Sequence, residues 1–360
     1  MSRVPPRGLI GRYRARLPVS PRTPVVTLHE GATPLVGAPH LARSLGLPED
    51  CLHLKLEGCN PTGSFKDRGM TLAVSKALES GAHGVLCAST GNTAASAAAY
   101  AARAGLRCLV LLPAGAVAAG KLSQSVMHGA RILAVRGNFD EALRLAREAS
   151  RRLGWTLVNS VNPYRIQGQK TAAFEVVEEL GRAPDYQFMP VGNAGNITAY
   201  WLGYREEARR DRRVGLPRMM GFQAAGAAPL VSGRPVLHPK TFATAIRIGD
   251  PASREGALLA RDESGGTIDK VTDREILSAY RDLARLEGVF CEPSSAASVA
   301  GLASWTRRHR LKPRTPGTRL KVVCVLTGHG LKDPDTPKRF SPELRAVPAR
   351  LDALMRELRP

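Results

Sequence analysis

The chain carries the segment Glu57-Gly58-Cys59-Asn60-Pro61-Thr62-Gly63-Ser64-Phe65-Lys66-Asp67-Arg68, which joins two different apolar patterns. Residues 52–56 before it are predicted to form a strand, and the apolar positions from Met70 to Leu78 after it recur at helical spacing. The Pro and Gly residues between them predict a turn. Lys66 therefore lies at a strand-to-helix junction, where a lysine can be desolvated, lose its proton near neutrality and form a Schiff base. Most lysines are solvated surface charges, so this interpretation depends on the rest of the chain.

Strand-like and helical segments alternate on both sides of this junction, from about residue 50 to residue 225. Such alternation predicts an α/β fold with parallel strands. The units between residues 84 and 158 are short and regular, so we expect them to form a compact subdomain. With 360 residues and 43% hydrophobic content, the chain can bury a large core in one or two domains.

The net charge of +21 raises the hypothesis of a nucleic-acid-binding protein. The basic residues are spread along the chain, however, and no zinc-finger, helix-turn-helix or RNA-binding signature is present. Aromatic residues make up only 5% of the chain, too few for base-stacking platforms. We therefore expect no nucleic-acid partner, and we expect the positive field to attract anionic substrates.

The cysteines and histidines indicate neither disulfides nor a metal site. Six cysteines stand apart and form no CxxC pair, which is typical of reduced, mostly buried thiols in a cytosolic protein. The eight histidines show no zinc-ligand spacing. The N-terminus lacks the apolar stretch of a signal peptide, and the most apolar tract, residues 94–102, is too short to span a bilayer. We expect a cytoplasmic protein without membrane contact.

Three further loops carry polar or glycine-rich sequences, each after a predicted strand. Residues 191–196 read Val-Gly-Asn-Ala-Gly-Asn and precede a helix, an arrangement that suits a phosphate, although a simple tight turn has the same pattern. Residues 89–93 read Ser-Thr-Gly-Asn-Thr and could hold a carboxylate, although such residues also cap helices. Residues 326–330 read Leu-Thr-Gly-His-Gly. Strand ends gather at one edge of a parallel sheet, so we expect these loops and Lys66 to form one cofactor site.

Together these motifs resemble the threonine synthases of the short bacterial type, in the fold type II (tryptophan synthase β) family of pyridoxal phosphate enzymes. The resemblance runs from about residue 8 to residue 335. It implies two open, mostly parallel twisted sheets flanked by helices. It also implies a large domain of residues 1–80 and 161–360 with an N-terminal arm of residues 1–30, a small mobile domain of residues 81–160, and a homodimer.

The resemblance also implies the roles of individual residues in holding pyridoxal phosphate. Lys66 forms the Schiff base, Asn92 bonds the ring hydroxyl oxygen and Thr327 faces the pyridine nitrogen. The cofactor phosphate is wrapped by Gly192, Asn193, Ala194, Gly195 and Asn196. A neutral hydroxyl opposite the ring nitrogen leaves it unprotonated, which favours elimination and replacement over transamination.

A substrate phosphate needs a site of its own. The segment Asn159-Ser160-Val161-Asn162-Pro163-Tyr164-Arg165 offers an amide, a hydroxyl and a guanidinium, which suits bidentate phosphate binding. Arg165 alone could equally be a surface charge at a helix start. By the resemblance, the substrate is bound by Ser89, Thr90, Thr93, Asn159, Ser160 and Arg165.

The implied activity is that of a carbon–oxygen lyase that converts O-phospho-L-homoserine and water to L-threonine and phosphate. An alternative is a serine/threonine dehydratase of the same fold, which has no use for a second phosphate site. A non-enzymatic alternative is a basic RNA-binding or regulatory protein on an inherited enzyme fold. Cys59, where relatives often have an apolar residue, is expected to affect packing only.

Overall fold

The computed structural model describes residues 8–89, 91–114, 122–137, 139–340 and 346–357. Its strands form two sheets in which most neighbouring strands run parallel. Sheet one has the strand order β1-β2-β10-β7-β8-β9, and sheet two has the order β5-β4-β3-β6. Within the described residues the strands are β1 (Leu35–Gly37), β2 (Leu52–Leu56), β3 (Gly84–Ala88), β4 (Arg107–Pro113), β5 (Arg131–Val135), β6 (Thr156–Leu157), β7 (Tyr186–Pro190), β8 (Arg218–Ala224), β9 (Thr267–Val271) and β10 (Val322–Leu326).

Helices cover these sheets and connect their strands. In the same described ranges they are α1 (Gly8–Tyr13), α2 (Pro39–Ser44), α3 (Lys66–Glu79), α4 (Asn92–Ala104), α5 (Ser123–Met127), α6 (Phe139–Leu153), α7 (Pro163–Gln169), α8 (Thr171–Leu180), α9 (Gly195–Arg210), α10 (Pro229–Ser232), α11 (Arg254–Ser264), α12 (Asp273–Glu287), α13 (Pro293–Thr306) and α14 (Leu351–Glu357). Thr272 and Glu275 form a reciprocal cap at the start of α12, and Gly288 ends that helix in a left-handed conformation.

Sheet one is parallel except at one edge, where β1 pairs antiparallel with β2. Its central strands β7 and β10 are buried along their whole length. Continuous apolar burial of this kind arises because helices cover both faces of a parallel sheet. All pairings in sheet two are parallel as well. The predicted α/β class with two open, mostly parallel sheets is therefore confirmed.

Sheet two contains the strands from residue 84 to residue 157, the stretch that the sequence analysis assigns to a small domain. Helix α4 packs between this sheet and α3, and its buried face is built almost entirely from alanine. The division at residues 81 and 160 and the mobility of the small domain stay predictions. One of the short units expected in this stretch appears as α5, while residues 115–121 lie outside the described residues.

A buried ion network lies beneath the lysine turn and has no exposed member. Arg68 donates from Nε and Nη2 to Glu57, at 2.6 and 2.7 Å, and from Nη1 and Nη2 to Glu175, at 2.7 Å each. The amine of Lys55 adds a contact of 2.9 Å to Glu175. Burial opposes ionisation of Glu175, but Arg68 and Lys55 outweigh it and lower its pKa to about 2. Two cations and two anions balance, and the network joins β2, α3 and α8.

The described part of the N-terminal arm packs onto this framework. Leu9 and Ile10 of α1 are buried in a cluster with Leu72 and Phe174. The buried Glu30 carboxylate accepts hydrogen bonds from the backbone N–H of Leu9 and the hydroxyl of Tyr100, at 3.1 and 2.7 Å.

Three further observations concern the cysteines, the apolar length of the helices and possible metal ligands. Five cysteines are buried and Cys59 is exposed. No helix among the described residues is long and apolar enough to cross a membrane. Across those same residues, no group of three His, Cys, Asp or Glu side chains could hold a metal ion.

Candidate active site

The lysine turn is fastened to the end of β10 by backbone contacts. Phe65 donates its N–H to the Thr327 carbonyl at 3.0 Å, and His329 donates to the Gly63 carbonyl at 2.9 Å. Gly58 permits this approach, because a Cβ atom added there would lie 2.7 Å from the His329 nitrogen. The segments around residues 66 and 327, far apart in sequence, therefore form one rigid structure.

Lys66 is the first residue of α3, and its amine lies over the Phe65 ring, 4.2 Å from the ring centroid. Part of the Lys66 surface is accessible, yet its amine is enclosed by protein atoms. Burial lowers the Lys66 pKa to about 7, with Arg165 adding to the effect and Glu292 opposing it. An amine with that pKa can be neutral at physiological pH, as a Schiff-base lysine must be.

Asp67 connects the lysine turn to α4. Its carboxylate accepts from the Ser96 hydroxyl at 2.6 Å, and from the Thr62 hydroxyl and N–H at 2.6 and 2.7 Å. Burial raises the pKa of Asp67 to about 6 despite these donors. The contact fixes the relative positions of Lys66 and the helix that begins at Asn92.

A buried carboxylate, Glu292, lies opposite Lys66, and sequence analysis did not find it. Asn92 Nδ2 donates to both Glu292 oxygens, at 3.2 and 3.0 Å. Burial raises the pKa of Glu292, while Asn92 and other donors and cations oppose the shift. The signal that could have found it is the acidic residue directly before Pro293 at the start of an otherwise apolar helix.

The predicted partner of the pyridine nitrogen, Thr327, contacts a second hydroxyl that was also missed. Its Oγ1 lies 2.9 Å from Ser295 Oγ and 3.4 Å from Glu292 Oε1. Ser295 is fully buried in the first turn of α13. Thr327, Ser295 and Glu292 therefore form a cluster of polar side chains at the end of β10 and the start of α13.

The loop between β7 and α9 has the geometry of a phosphate cradle. A Cβ atom added at Gly192 would lie 3.0 Å from both Ala245 O and Ile246 Cα, so the backbone is closely covered there. Ala194 adopts a positive φ of 63° before the 16-residue helix α9. Asn196 Nδ2 is buried without a hydrogen-bond partner. Free N–H groups at a helix start and an unpaired amide donor fit the phosphate of pyridoxal phosphate.

The five predicted cradle residues differ in what their side chains do. Asn193 uses its amide elsewhere, donating from Nδ2 to Ser160 Oγ at 2.8 Å and accepting at Oδ1 from the Ala252 N–H at 2.7 Å. A phosphate would therefore meet Asn193 through its backbone, whereas Asn196 has its side chain free. Both assignments stay predictions.

The predicted substrate-phosphate residues follow β6 and begin α7. Arg165 is 1% exposed, donates from Nη1 to the Val158 carbonyl at 3.1 Å, and leaves Nε without a partner. Burial lowers its pKa to about 10. Helix α7 packs closely on α3, because a Cβ atom added at Gly69 would lie 2.8 Å from the Arg165 carbonyl oxygen. Asn159 exchanges two amide hydrogen bonds with the Ala88 backbone, at 2.9 and 2.8 Å, so its side chain supports the end of β3. Its phosphate contact stays a prediction.

The predicted carboxylate-binding loop lies at the end of β3. Ser89 Oγ accepts from the Gly91 N–H at 3.3 Å, and Thr93 lies in the first turn of α4 with part of its surface accessible. Thr90 lies outside the described residues. Lys66, the cradle, Thr327 and Asn92 all stand at carboxyl ends of parallel strands, where ligands bind in open α/β sheets.

A family comparison agrees with this arrangement. The family model described as "Pyridoxal-phosphate dependent enzyme" matches residues 26–328. The chain therefore belongs to the pyridoxal-phosphate dependent enzymes, and its cofactor is pyridoxal phosphate.

Curated relatives narrow the family further. A threonine synthase of Synechocystis is 60% identical over 91% of this chain and 84% of its own length. A threonine synthase of Mycobacterium leprae is 55% identical over 98% of this chain and 96% of its own length. Within its family the chain thus belongs with the threonine synthases.

Solved structures show the same fold at lower identity. Maize serine racemase matches with a TM-score of 0.73 and 21% identity, covering 92% of this chain and 95% of its own. A threonine deaminase from T.th. matches with a TM-score of 0.70 and 25% identity, covering 89% and 96%. These similarities confirm the fold type II architecture.

Proposed function

We propose that this enzyme converts O-phospho-L-homoserine and water to L-threonine and phosphate by γ-elimination followed by β-replacement. One observation carries the proposal beyond the family. Arg165 is buried on the helix that packs against α3, the helix of Lys66, and its Nε has no hydrogen-bond partner. A buried cation with a free donor is costly unless an anion completes it, and the leaving phosphate of this substrate is such an anion.

The chemistry of pyridoxal phosphate, when bound, is to stabilise negative charge at carbons next to the substrate amine. Lys66 would hold the cofactor aldehyde in the resting enzyme, and its free amine would accept and return protons during turnover. Its pKa of about 7 suits both tasks, because the amine can accept a proton and give it back near neutral pH. Asn92 orients the cofactor ring, and Thr327 offers its ring nitrogen a neutral hydroxyl.

Arg165 and Ser160 bind and neutralise the substrate phosphate as it leaves. A guanidinium in a water-poor site stabilises developing charge more strongly than it would in water. Ser89 and Thr93 hold the substrate carboxylate and phosphate beside the start of α4, and Thr90, which lies outside the described residues, is proposed to act with them.

The part of the chain from residue 81 to residue 160 closes over the substrate and excludes water. The Lys332 amine supports this proposal, because it contacts both the Thr62 carbonyl of the lysine turn, at 3.0 Å, and the side chain of Gln124 on α5. We also propose that the enzyme is a cytoplasmic homodimer that binds no nucleic acid.

The decisive experiment measures phosphate release from O-phospho-L-homoserine with the purified enzyme and identifies the amino-acid product. Threonine formed in equal amount to phosphate is the expected result. Arg165→Ala should raise KM by about tenfold or more, since a charge-assisted hydrogen bond contributes about 1.5–3 kcal/mol. Deamination of threonine that is insensitive to Arg165→Ala would instead favour a dehydratase.

A spectrum tests the lysine separately. Lysine-bound cofactor absorbs at roughly 410–430 nm. This absorbance band should disappear when the enzyme is treated with borohydride, and it should be absent from the Lys66→Ala variant. A basic protein on an inherited fold, without enzymatic activity, would lack the band.

A further inference from the structure

The Asn193 side chain connects the cofactor loop to the loop that carries the predicted substrate-phosphate residues. Its Nδ2 donates to Ser160 Oγ at 2.8 Å, and its Oδ1 accepts from the Ala252 N–H at 2.7 Å. Its backbone carbonyl also accepts from the Ser253 N–H at 3.2 Å. One amide therefore spans three segments that are distant in sequence.

The orientation of this amide is determined by its neighbours. A backbone N–H can only donate, so the Asn193 atom that faces Ala252 must be the oxygen. The opposite orientation would bring two donors together at Ala252. The amino group of Asn193 consequently points at Ser160.

This orientation determines what the Ser160 hydroxyl can do. A serine hydroxyl has one proton to donate and accepts through its lone pairs. Because the Asn193 Nδ2 donates to it, Ser160 Oγ accepts there and its own proton remains free for another partner. Part of the Ser160 surface is accessible, and the residue lies in the turn before α7, the helix that carries Arg165 in its first turn.

We infer that Asn193 is a positioning residue that holds the Ser160 hydroxyl as a donor to the substrate phosphate. Asn193 acts through Ser160 and favours an oxyanion there, because its amino group occupies one lone pair of the hydroxyl and leaves the hydroxyl proton to be donated. The inference rests on the proposed function, and it gives the Asn193 side chain a task separate from binding the cofactor phosphate.

A double-mutant cycle on the cofactor-loaded enzyme tests this coupling. Calorimetry measures the dissociation constant of inorganic phosphate for the wild type, Ser160→Ala, Asn193→Ala and the double variant. Ser160→Ala should weaken phosphate binding about tenfold or more, as expected for one hydrogen bond to a charged group. Asn193→Ala alone should weaken it about threefold or more, and the double variant should bind phosphate no more weakly than Ser160→Ala.

Asn193→Asp provides a second variant of nearly the same shape. Its carboxylate can accept from both the Ala252 N–H and the Ser160 hydroxyl, which turns the serine proton away from the phosphate and adds a negative charge. We expect it to weaken phosphate binding more than Asn193→Ala does. Thr198→Val is the matched control, since Thr198 Oγ1 bonds only the Ala194 carbonyl of the same loop, at 2.9 Å. Its phosphate affinity should match that of the wild type.

The visible absorbance of the cofactor, measured in each variant, separates the possible outcomes. If Ser160→Ala and Asn193→Ala weaken phosphate binding additively in the double variant, the inference is overturned. It is also overturned if Asn193→Asp loses the cofactor absorbance while its affinity for phosphate is unchanged. If the wild type forms threonine and the losses are additive, only the inference fails. If the wild type forms no threonine from O-phospho-L-homoserine, the proposed function fails.

Discussion

Glu175→Gln is predicted to destabilise the enzyme through the ion network beneath the lysine turn. The substitution preserves shape but leaves Arg68 and Lys55 facing only Glu57, a buried excess of one positive charge. Removing one partner of a buried pair costs about 3–5 kcal/mol. An unfolding entropy of about 2.1 cal/mol/K per residue gives roughly 0.75 kcal/mol/K for this chain, so Tm should fall by about 4–7 °C.

Thermal unfolding of the cofactor-loaded enzyme by circular dichroism measures this change. Glu178→Gln on the same helix is the matched control, because the Glu178 side chain is 39% exposed and pairs with Arg12. Such pairs contribute about 0–1 kcal/mol, so its Tm should fall by no more than about 1 °C. Combining Glu175→Gln with Lys55→Met restores charge balance and should recover about 1–3 kcal/mol relative to additivity.

The pH dependence follows from the same carboxylate. The Glu175 pKa is lowered to about 2 in the folded state from 4.5, so its contribution is fully present above about pH 5 and is lost as pH falls toward 2. The difference in Tm between wild type and Glu175→Gln should therefore narrow on acidification. A difference below about 1 °C at neutral pH, or one that widens in acid, would refute the reasoning.

Three other predictions concern the site. Gly192→Ala would place a methyl group 3.0 Å from the Ala245 carbonyl. Overpacking costs about 1–3 kcal/mol, so the dissociation constant of the cofactor, measured by absorbance titration, should rise about fivefold or more. An unchanged dissociation constant would contradict the assignment of residues 192–196 to the cofactor phosphate. The Lys66 pKa is lowered to about 7, so the neutral amine predominates above that pH. The rate at which the cofactor attaches to the cofactor-free protein should therefore rise with pH to a plateau, with a midpoint near pH 7. A midpoint near pH 10.5 would disprove the lowered pKa. Lys332→Met removes the hydrogen bonds to Gln124 and the Thr62 carbonyl. Because one hydrogen bond contributes about 1 kcal/mol, amide hydrogen exchange in residues 122–128 should become about fivefold faster. Unchanged exchange would argue against a stabilising contact between Lys332 and α5.

The parts of the fold that sequence analysis predicted are those with a strong local signal. The central strand β10 is a continuous apolar run, β7 is apolar except for Gln187, and the lysine turn is marked by Pro and Gly. The edge strands β1 and β9 were not predicted, because β1 has only three residues and β9 is only partly buried. Pairing with a neighbouring strand stabilises them, and that contribution leaves little trace in their own residues.

The candidate site shows the same division between local and distant information. Lys66, Arg165 and the cradle loop each lie in a distinctive motif. Glu292 meets Asn92 across a separation of 200 residues, and only the packing of α13 against β10 brings it to the site. The sequence likewise predicted that Asn193 lies at the cofactor phosphate. The orientation of its side-chain amide depends on the N–H of Ala252, a contact that no local sequence pattern reveals.

The alanine-rich face of α4 has a consequence for movement. Side chains that end in a methyl group leave shallow ridges, so we expect the resistance of α4 to a shear-type slide along α3 to come from the larger buried Tyr100 and from polar contacts. The Ser96–Asp67 hydrogen bond is a polar stop on this smooth surface. We expect larger side chains at these alanines to slow the sliding well before they unfold the protein.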